Sequence, residues 1–295
     1  MTSEKRLPIW KQLLLQAVAL FVAFTVLVPI LWVVSMSLDP RDIARPTEFT
    51  LIPPGASFDA YLKVLDRPTA NPVTFTELLI NQLKLAGGVS FFSVLIGVFA
   101  AYAFSRIEFA GRRFLMIAMI TVLMLPGIAT IAPLFALLSR ISVQLGEIQF
   151  NLRNSLLGVG LAMVSGSLPF SIWNLKGYLD TIPRELEEAA KIDGAGPNQT
   201  FFYIVLPLAV PALAVVAFLG FLGGWTEFAL SWMFLTKPQD FTLAMSLYNM
   251  VGQYSDNTPW SLFSAMALMI ATPVAVVYMA LQRYIVSGLT IGGVK

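Results

Sequence analysis

The sequence predicts an all-α polytopic membrane protein with six transmembrane helices. Three observations carry that reading. Hydrophobic residues make up 57% of the chain and charged residues only 12%, against roughly 25% charged in a soluble domain. The mean hydropathy is +0.76. Charge-free apolar runs long enough to cross about 30 Å of hydrocarbon recur along the 295 residues. With no internal repeat between them, one membrane domain is the economical count.

Residues 1–11 carry Lys5, Arg6 and Lys11, and 12–38 then run without a charge until the end of a first span. That run is well beyond the roughly 7–15 apolar residues of a cleavable signal, so it reads as a retained anchor. An external loop over 39–77 mixes acids and bases and has room for a short helix around 58–65. The second span, 85–105, opens with Gly87-Gly88, which suits close approach of a neighbouring helix. Arg106, Arg112 and Arg113 fill the next turn. A third span, 114–139, is interrupted by Pro126 and Pro133. A short polar loop, 140–153, leads to a fourth span over 154–175, whose Ser165-Gly166-Ser167 suggests tight packing. After a polar loop over 176–200, a fifth span runs from 201 to 222 and breaks at Gly223-Gly224 before 225–235. A loop over 237–260, a sixth span over 261–282 and a Gly-rich tail complete the chain.

Six crossings put both termini on one side. Lys and Arg are denser in the termini and in the second and fourth loops than elsewhere, which places these in the cytoplasm. Trp32, Trp225, Trp232 and Trp260 then fall near the outer boundary, and Trp10 and Trp173 near the inner one, as interfacial anchors do.

The chain has no Cys and no His, which excludes disulfides, thiolate or imidazole metal sites and Cys or His acid–base chemistry. No phosphate loop of the G-x-x-x-x-G-K-[ST] type occurs, so nucleotide chemistry belongs to another subunit. A net charge of +2 gives no reason to expect nucleic acid. An intramembrane enzyme would lack any nucleophile–base pair. An ion-coupled secondary transporter is expected to hold ionisable groups deep in its spans, and these spans are charge-free.

The most informative stretch is Glu188 to Pro207, EAAKIDGAGPNQTFFYIVLP. Pro183 suits a first helical position, and Glu185, Glu187 and Glu188 in the opening turns favour the helix dipole. Gly194 suits a left-handed cap. The expectation is a helix of about three turns outside the bilayer, with Ala189 and Ala190 as a small face beside the acidic face of Glu188. An amphipathic helix lying on the membrane is the alternative, but anionic lipid repels its acids. Gly196-Pro197 restarts the chain, and Pro207 and Pro211 weaken the fifth span at its entry.

The spacing of Glu188-Ala189-Ala190, Asp193-Gly194 and Ile204-x-Leu206-Pro207 resembles the EAA signature of permease subunits of bacterial ABC importers. ELEEAAKIDGA and the ending QRYIVSGLTIGGVK are similar to the carbohydrate-uptake branch, in particular the MalG-type subunit of maltose and maltodextrin importers. This resemblance implies a type I importer permease (MetI-like) fold: a core over 78–284 with a cytoplasmic EAA loop over 176–203, and a cytoplasmic tail over 285–295. It implies a transport subunit of the bacterial inner membrane, not an enzyme, working by alternating access. The expected partners are a second permease (MalF-like), a homodimer of ABC ATPases (MalK-like) and an extracytoplasmic sugar-binding protein. ATP and Mg are bound by the partner ATPase, and this chain holds no cofactor or metal. Another oligosaccharide or a glycerol-phosphate compound is the alternative substrate.

Carried onto this sequence, the resemblance makes Glu188, Ala189, Ala190, Asp193, Gly194, Ile204, Leu206 and Pro207 the ATPase-coupling positions. It brings Gly288, Leu289, Thr290, Gly292 and Gly293 of the tail toward the ATPases, where glycine backbone would pass a narrow gap. It makes Gln253, Tyr254, Asp256 and Asn257 candidate contacts of the binding protein, although an interfacial anchor with a solvated turn explains that loop equally well. Glu227, an acid at the outer part of the fifth span, reads either as a gate group or as a structural acid satisfied by nearby donors.

Overall fold

The computed structural model describes residues 8–42, 50–145, 148–251 and 258–292, with side chains left out of the description over 143–150 and 285–292. The chain forms two compact units, Met1–Ala70 with Leu247–Ile270, and Asn71–Ser246 with Ala271–Lys295.

In the first unit, helix α1 (Ile9–Ser37) buries only Ser35 and Ser37 and turns Leu13, Leu20, Phe21 and Phe24 outward. Such a helix, apolar all round, suits a lipid solvent. The short α2 (Asp59–Asp66) buries Ala60 and Val64 and is tied to the end of α1 by Ser37 Oγ and Tyr61 Oη at 2.7 Å. Asp39 receives both Nε (2.9 Å) and Nη2 (2.7 Å) of Arg41, and these bonds hold its carboxyl below the usual range. Asp42, at φ +53°, accepts from the backbone N–H of Ser261 at 2.8 Å and so caps the start of the final helix.

The second unit is built on three long helices, α3 (Phe75–Arg106), α6 (Leu156–Leu179) and α10 (Val210–Trp225). Thr74 and Glu77 start α3 with reciprocal bonds between side chain and backbone. Between α3 and α6 come α4 (Arg112–Leu123), a 3₁₀ turn (Gly127–Thr130), α5 (Ile131–Arg140), and an antiparallel hairpin of β1 (Ser142–Leu145) and β2 (Ile148–Asn151). Between α6 and α10 come α7 (Glu185–Ile192), α8 (Pro197–Thr200), a π turn (Phe201–Val205) and α9 (Leu206–Leu208). Short helices α11 (Ala229–Phe234) and α12 (Leu243–Asn249) precede α13 (Trp260–Gly292). Among the described residues four helices are long and apolar enough to cross a membrane, or up to six spans if each of two bent pairs counts as one.

Several local expectations change. The close helix approach is made by Gly220 and Gly224, not by Gly87-Gly88. A Cβ at Gly224 would stand 2.6 Å from Ala86 Cα and one at Gly220 3.0 Å from Ser90 Cα, whereas nothing lies within 4 Å of a Cβ at Gly87 or Gly88. Gly166 also faces open space, and the packing expected there comes from Ser167, whose Oγ meets Ser93 Oγ at 2.7 Å. The third span bends by 101° after Leu123. Pro126 marks that break, while Pro133 sits harmlessly in the first turn of α5, where its missing donor is not needed. The fifth span bends by 72° near Ala209, and α10 continues through Gly223-Gly224 to Trp225. The loop expected over 140–153 is the β1–β2 hairpin.

Gln82, fully buried on α3, locks this unit at one end. Its Nε2 donates to the carbonyls of Gly224 (2.8 Å) and Trp225 (2.9 Å), and its Oε1 accepts from the N–H of Leu243 (3.1 Å). Replacing it by Leu strands three buried backbone groups at about 1–3 kcal/mol each when fully unsatisfied. Gln82→Leu is therefore expected to lower the melting temperature in detergent clearly, with Leu83→Ala, on the exposed face, nearly unchanged. Equal melting temperatures for the two would refute this.

Candidate functional site

The segment from Asp180 to Pro207 leaves the end of α6, forms α7, turns and re-enters through α8 and the π turn. Helix α7 begins at Glu185, two residues after Pro183, with Arg184 as the capping residue, and its eight residues make it shorter than the three turns expected. The carbonyl of Arg184 accepts from the N–H groups of Glu187 (2.9 Å) and Glu188 (3.0 Å). Gly194 takes φ +89°, the left-handed cap the sequence suggests, and Ala195 closes the turn by donating to the Ala190 carbonyl at 2.9 Å. The N–H of Gly196 donates to Gln199 Oε1 at 2.8 Å as α8 begins at Pro197.

Helical phase splits the site residues between two faces. Glu188, Ala189 and Asp193 are exposed, and beside them Ile192 is 87% exposed. Ala190 is buried, so the two alanines do not form one small face. Gly194 lies at the exposed tip, Ile204 and Leu206 are half-buried, and Pro207 is exposed. The outward surface thus combines two carboxylates with an aliphatic side chain that the rest of the unit does not cover.

The inward face holds Glu187, which the sequence marks only as one of three acids favouring the helix dipole. Glu187, 7% exposed, accepts from Arg106 Nε at 2.5 Å and from Tyr102 Oη at 3.3 Å. Arg106 Nη2 also donates to the Ile182 carbonyl at 3.0 Å, and Arg184 Nη2 to the Ser105 carbonyl at 3.1 Å. Ser105 Oγ donates to Asp180 Oδ1 at 2.6 Å, and Lys176 Nζ reaches Asp180 Oδ2 at 2.5 Å. Burial pushes the Asp180 carboxyl up, but the bonds from Lys176 and Ser105 outweigh it and the net position is lowered. Nothing along the chain separates Glu187 from Glu185 and Glu188; its burial follows from Arg106 and Tyr102 of α3.

The other expected positions fall elsewhere. Glu227, 8% exposed, accepts at Oε1 from the N–H of Leu230 (2.6 Å) and at Oε2 from the N–H (3.0 Å) and hydroxyl of Ser231. These bonds satisfy the free donors at the start of α11. Gly288, Leu289, Thr290 and Gly292 lie on a backbone that continues α13, while Gly293 lies outside the described residues. Gln253, Tyr254, Asp256 and Asn257 also lie outside them. Among the described residues no three acids converge in a way that could hold a metal ion.

Residues 93–291 match a family profile described as binding-protein-dependent transport system inner membrane component. The chain is 35% identical to the galactooligosaccharides transport system permease protein GanQ of Bacillus subtilis (strain 168), covering 93% of this chain and 92% of that protein. It is also 35% identical to the maltose/maltodextrin transport system permease protein MalG of Escherichia coli (strain K12), covering 94% and 93%. Among solved structures, a chain of a bacterial ABC transporter that imports alginate superposes with a TM-score of 0.76 at 23% identity, covering 92% of this chain and 95% of that one. A chain of the MetNI methionine ABC transporter superposes at 0.55 and 17% identity, covering 72% and 95%. These likenesses share one helical permease fold.

Proposed function

This chain belongs to the family of binding-protein-dependent transport system inner membrane components, and we propose that it is one permease subunit of an ATP-driven importer of short oligosaccharides. Maltodextrin and galacto-oligosaccharide are the two substrate classes that the relatives' names support equally. In this reading the subunit forms half of a pathway that opens alternately to either side, its populations biased by ATP on one side and by loaded binding protein on the other. Its partners are a second permease, a pair of ATPase subunits and an extracytoplasmic sugar-binding protein. Both termini and α7 face the cytoplasm, and the end of α13 approaches the ATPases.

The observation that carries the proposal is the outward face of α7. Glu188, Ala189 and Asp193 stand exposed beside an exposed Ile192, on a short helix closed by the left-handed Gly194. An acidic rim around an aliphatic anchor fits a groove with a basic edge and an apolar floor.

Glu188→Lys is expected to reverse the attraction and, at several kcal/mol for like charges brought together, to reduce sugar uptake roughly tenfold or more. The ATPase should no longer co-purify, while insertion and melting temperature remain unchanged, since the Glu188 side chain is exposed. Retained ATPase and normal uptake would sink the docking reading. Stimulation of ATP hydrolysis by binding protein loaded with maltodextrin or with galacto-oligosaccharide separates the two substrate classes.

A further inference from the structure

The inward face of α7 carries an ion pair for which docking has no use. Glu187 lies on the side opposite the proposed contact, and its partner Arg106 is the last residue of α3. Both side chains are more than nine-tenths buried, at 8% and 9% exposure. Around them every link joins α3 to the segment from the end of α6 to α7: Tyr102 to Glu187, Arg106 to the carbonyl of Ile182, Arg184 to the carbonyl of Ser105, and Ser105 to Asp180. Several of these bonds carry a formal charge, which makes them shorter and more directional than neutral ones. Helix α7 is therefore held against the end of α3, which is itself bonded to the end of α6 through Ser105 and Asp180.

The exit toward α10 is built differently. Phe201–Val205 is a π turn, Pro207 follows without a donor, and the axis bends by 72° before Val210. Ring contacts accompany the charged links here: Phe201 meets Tyr102 at 4.8 Å and Phe99 at 5.3 Å between centroids. Apolar ring contacts tolerate sliding more readily than a bonded guanidinium and carboxylate.

We propose that the Arg106–Glu187 pair is a positioning joint: it makes α7 move as one body with the ends of α3 and α6, while among the described residues no such charged link joins α7 to α10 directly. The stroke received on α7 then enters the membrane through α3 and α6. This route differs from the entry of the fifth span, which the sequence marks as weakened by Pro207 and Pro211. This proposal rests on the reading that α7 docks on the ATPase.

The chain has no cysteine, so Ile107→Cys and Lys191→Cys, both at exposed positions and neither on the proposed docking face, place unique spin labels at the end of α3 and on α7. In the assembled transporter the distance between them is expected to stay narrow and unchanged between nucleotide-free and ATP-bound states. A change of several ångströms overturns the joint, and this measurement needs no variant of the pair itself. Glu187→Gln keeps the shape and removes the charge. It is expected to retain bound ATPase and ATP hydrolysis, to lower sugar moved per ATP by about tenfold, and to broaden the label distance. A merely structural pair would not dissociate hydrolysis from transport, so wild-type sugar per ATP in Glu187→Gln also overturns the proposal. Failure of the docking reading shows separately, as ATPase that stays bound to Glu188→Lys.

Discussion

Gly224→Leu is expected to leave no assembled membrane core. A Cβ at this position would stand 2.6 Å from Ala86 Cα, 3.2 Å from its N and 3.3 Å from its Cβ, and the first two of these atoms are backbone that cannot step aside. Membrane helices gain little from the hydrophobic effect between themselves, so their association depends on small residues that let backbones approach. Gly224→Ala already forces α3 and α10 apart, at about 1–3 kcal/mol for a methyl group inserted into a packed site. Leucine adds three more carbons in the same place. Parting the helices also draws the carbonyls of Gly224 and Trp225 away from Gln82, so packing and polar satisfaction fail together. Gly223→Ala is the control: nothing lies within 4 Å of its Cβ, and alanine favours a helix over glycine by about 1 kcal/mol. Size-exclusion profiles and melting temperatures in detergent should therefore rank Gly223→Ala with the wild type, Gly224→Ala below it, and Gly224→Leu as aggregated. A monodisperse Gly224→Leu with wild-type melting would overturn this account of the crossing.

The same pair of helices indicates what a sequence of this kind can disclose. Charge-free runs locate spans because the bilayer tolerates little else, and they located α1, α3, α6, α10 and α13. They could not say which glycines meet a neighbour. Gly87-Gly88 and Gly220-x-x-x-Gly224 are both legible as small-residue motifs, and only the rotation of α3 about its axis decides that Ala86 and Ser90 face α10. The bends were half legible. Pro126 predicts a break but not its 101° angle, and nothing in Phe201–Val205 announces a π turn. The hairpin was legible in principle, since Val143, Leu145, Ile148 and Phe150 alternate with polar residues, but its strands are short and were passed over. In the candidate site, Gly194 carried its own signature because few other residues adopt φ +89° readily. Glu187 did not. Glu185, Glu187 and Glu188 look interchangeable along the chain, and what sets Glu187 apart is a guanidinium 81 residues earlier.

Arg106→Met is expected to be the most damaging single change near α7. Removing one member of a buried ion pair leaves the other charge without compensation, at about 3–5 kcal/mol, and among the described residues Glu187 keeps only the Tyr102 hydroxyl as a side-chain donor. The carbonyl of Ile182 loses its donor as well. Replacing both partners has a different outcome. In Arg106→Met with Glu187→Leu neither charge of the pair remains, and apolar side chains of similar volume commonly restore or exceed the stability of such pairs. The double variant should therefore melt within about 1–2 kcal/mol of the wild type, the remainder reflecting the carbonyl of Ile182 and the hydroxyl of Tyr102. Transport separates a charged joint from a filled space. An ion pair with several bonded partners fixes direction, whereas two aliphatic chains hold α7 near α3 without fixing its angle, so sugar moved per ATP should stay low in the double variant after its stability has returned. If stability and sugar per ATP recover together, the pair serves only to fill and neutralise the space between α3 and α7. Recovery of stability alone would mean that its geometry, rather than its contribution to folding, is what transport requires.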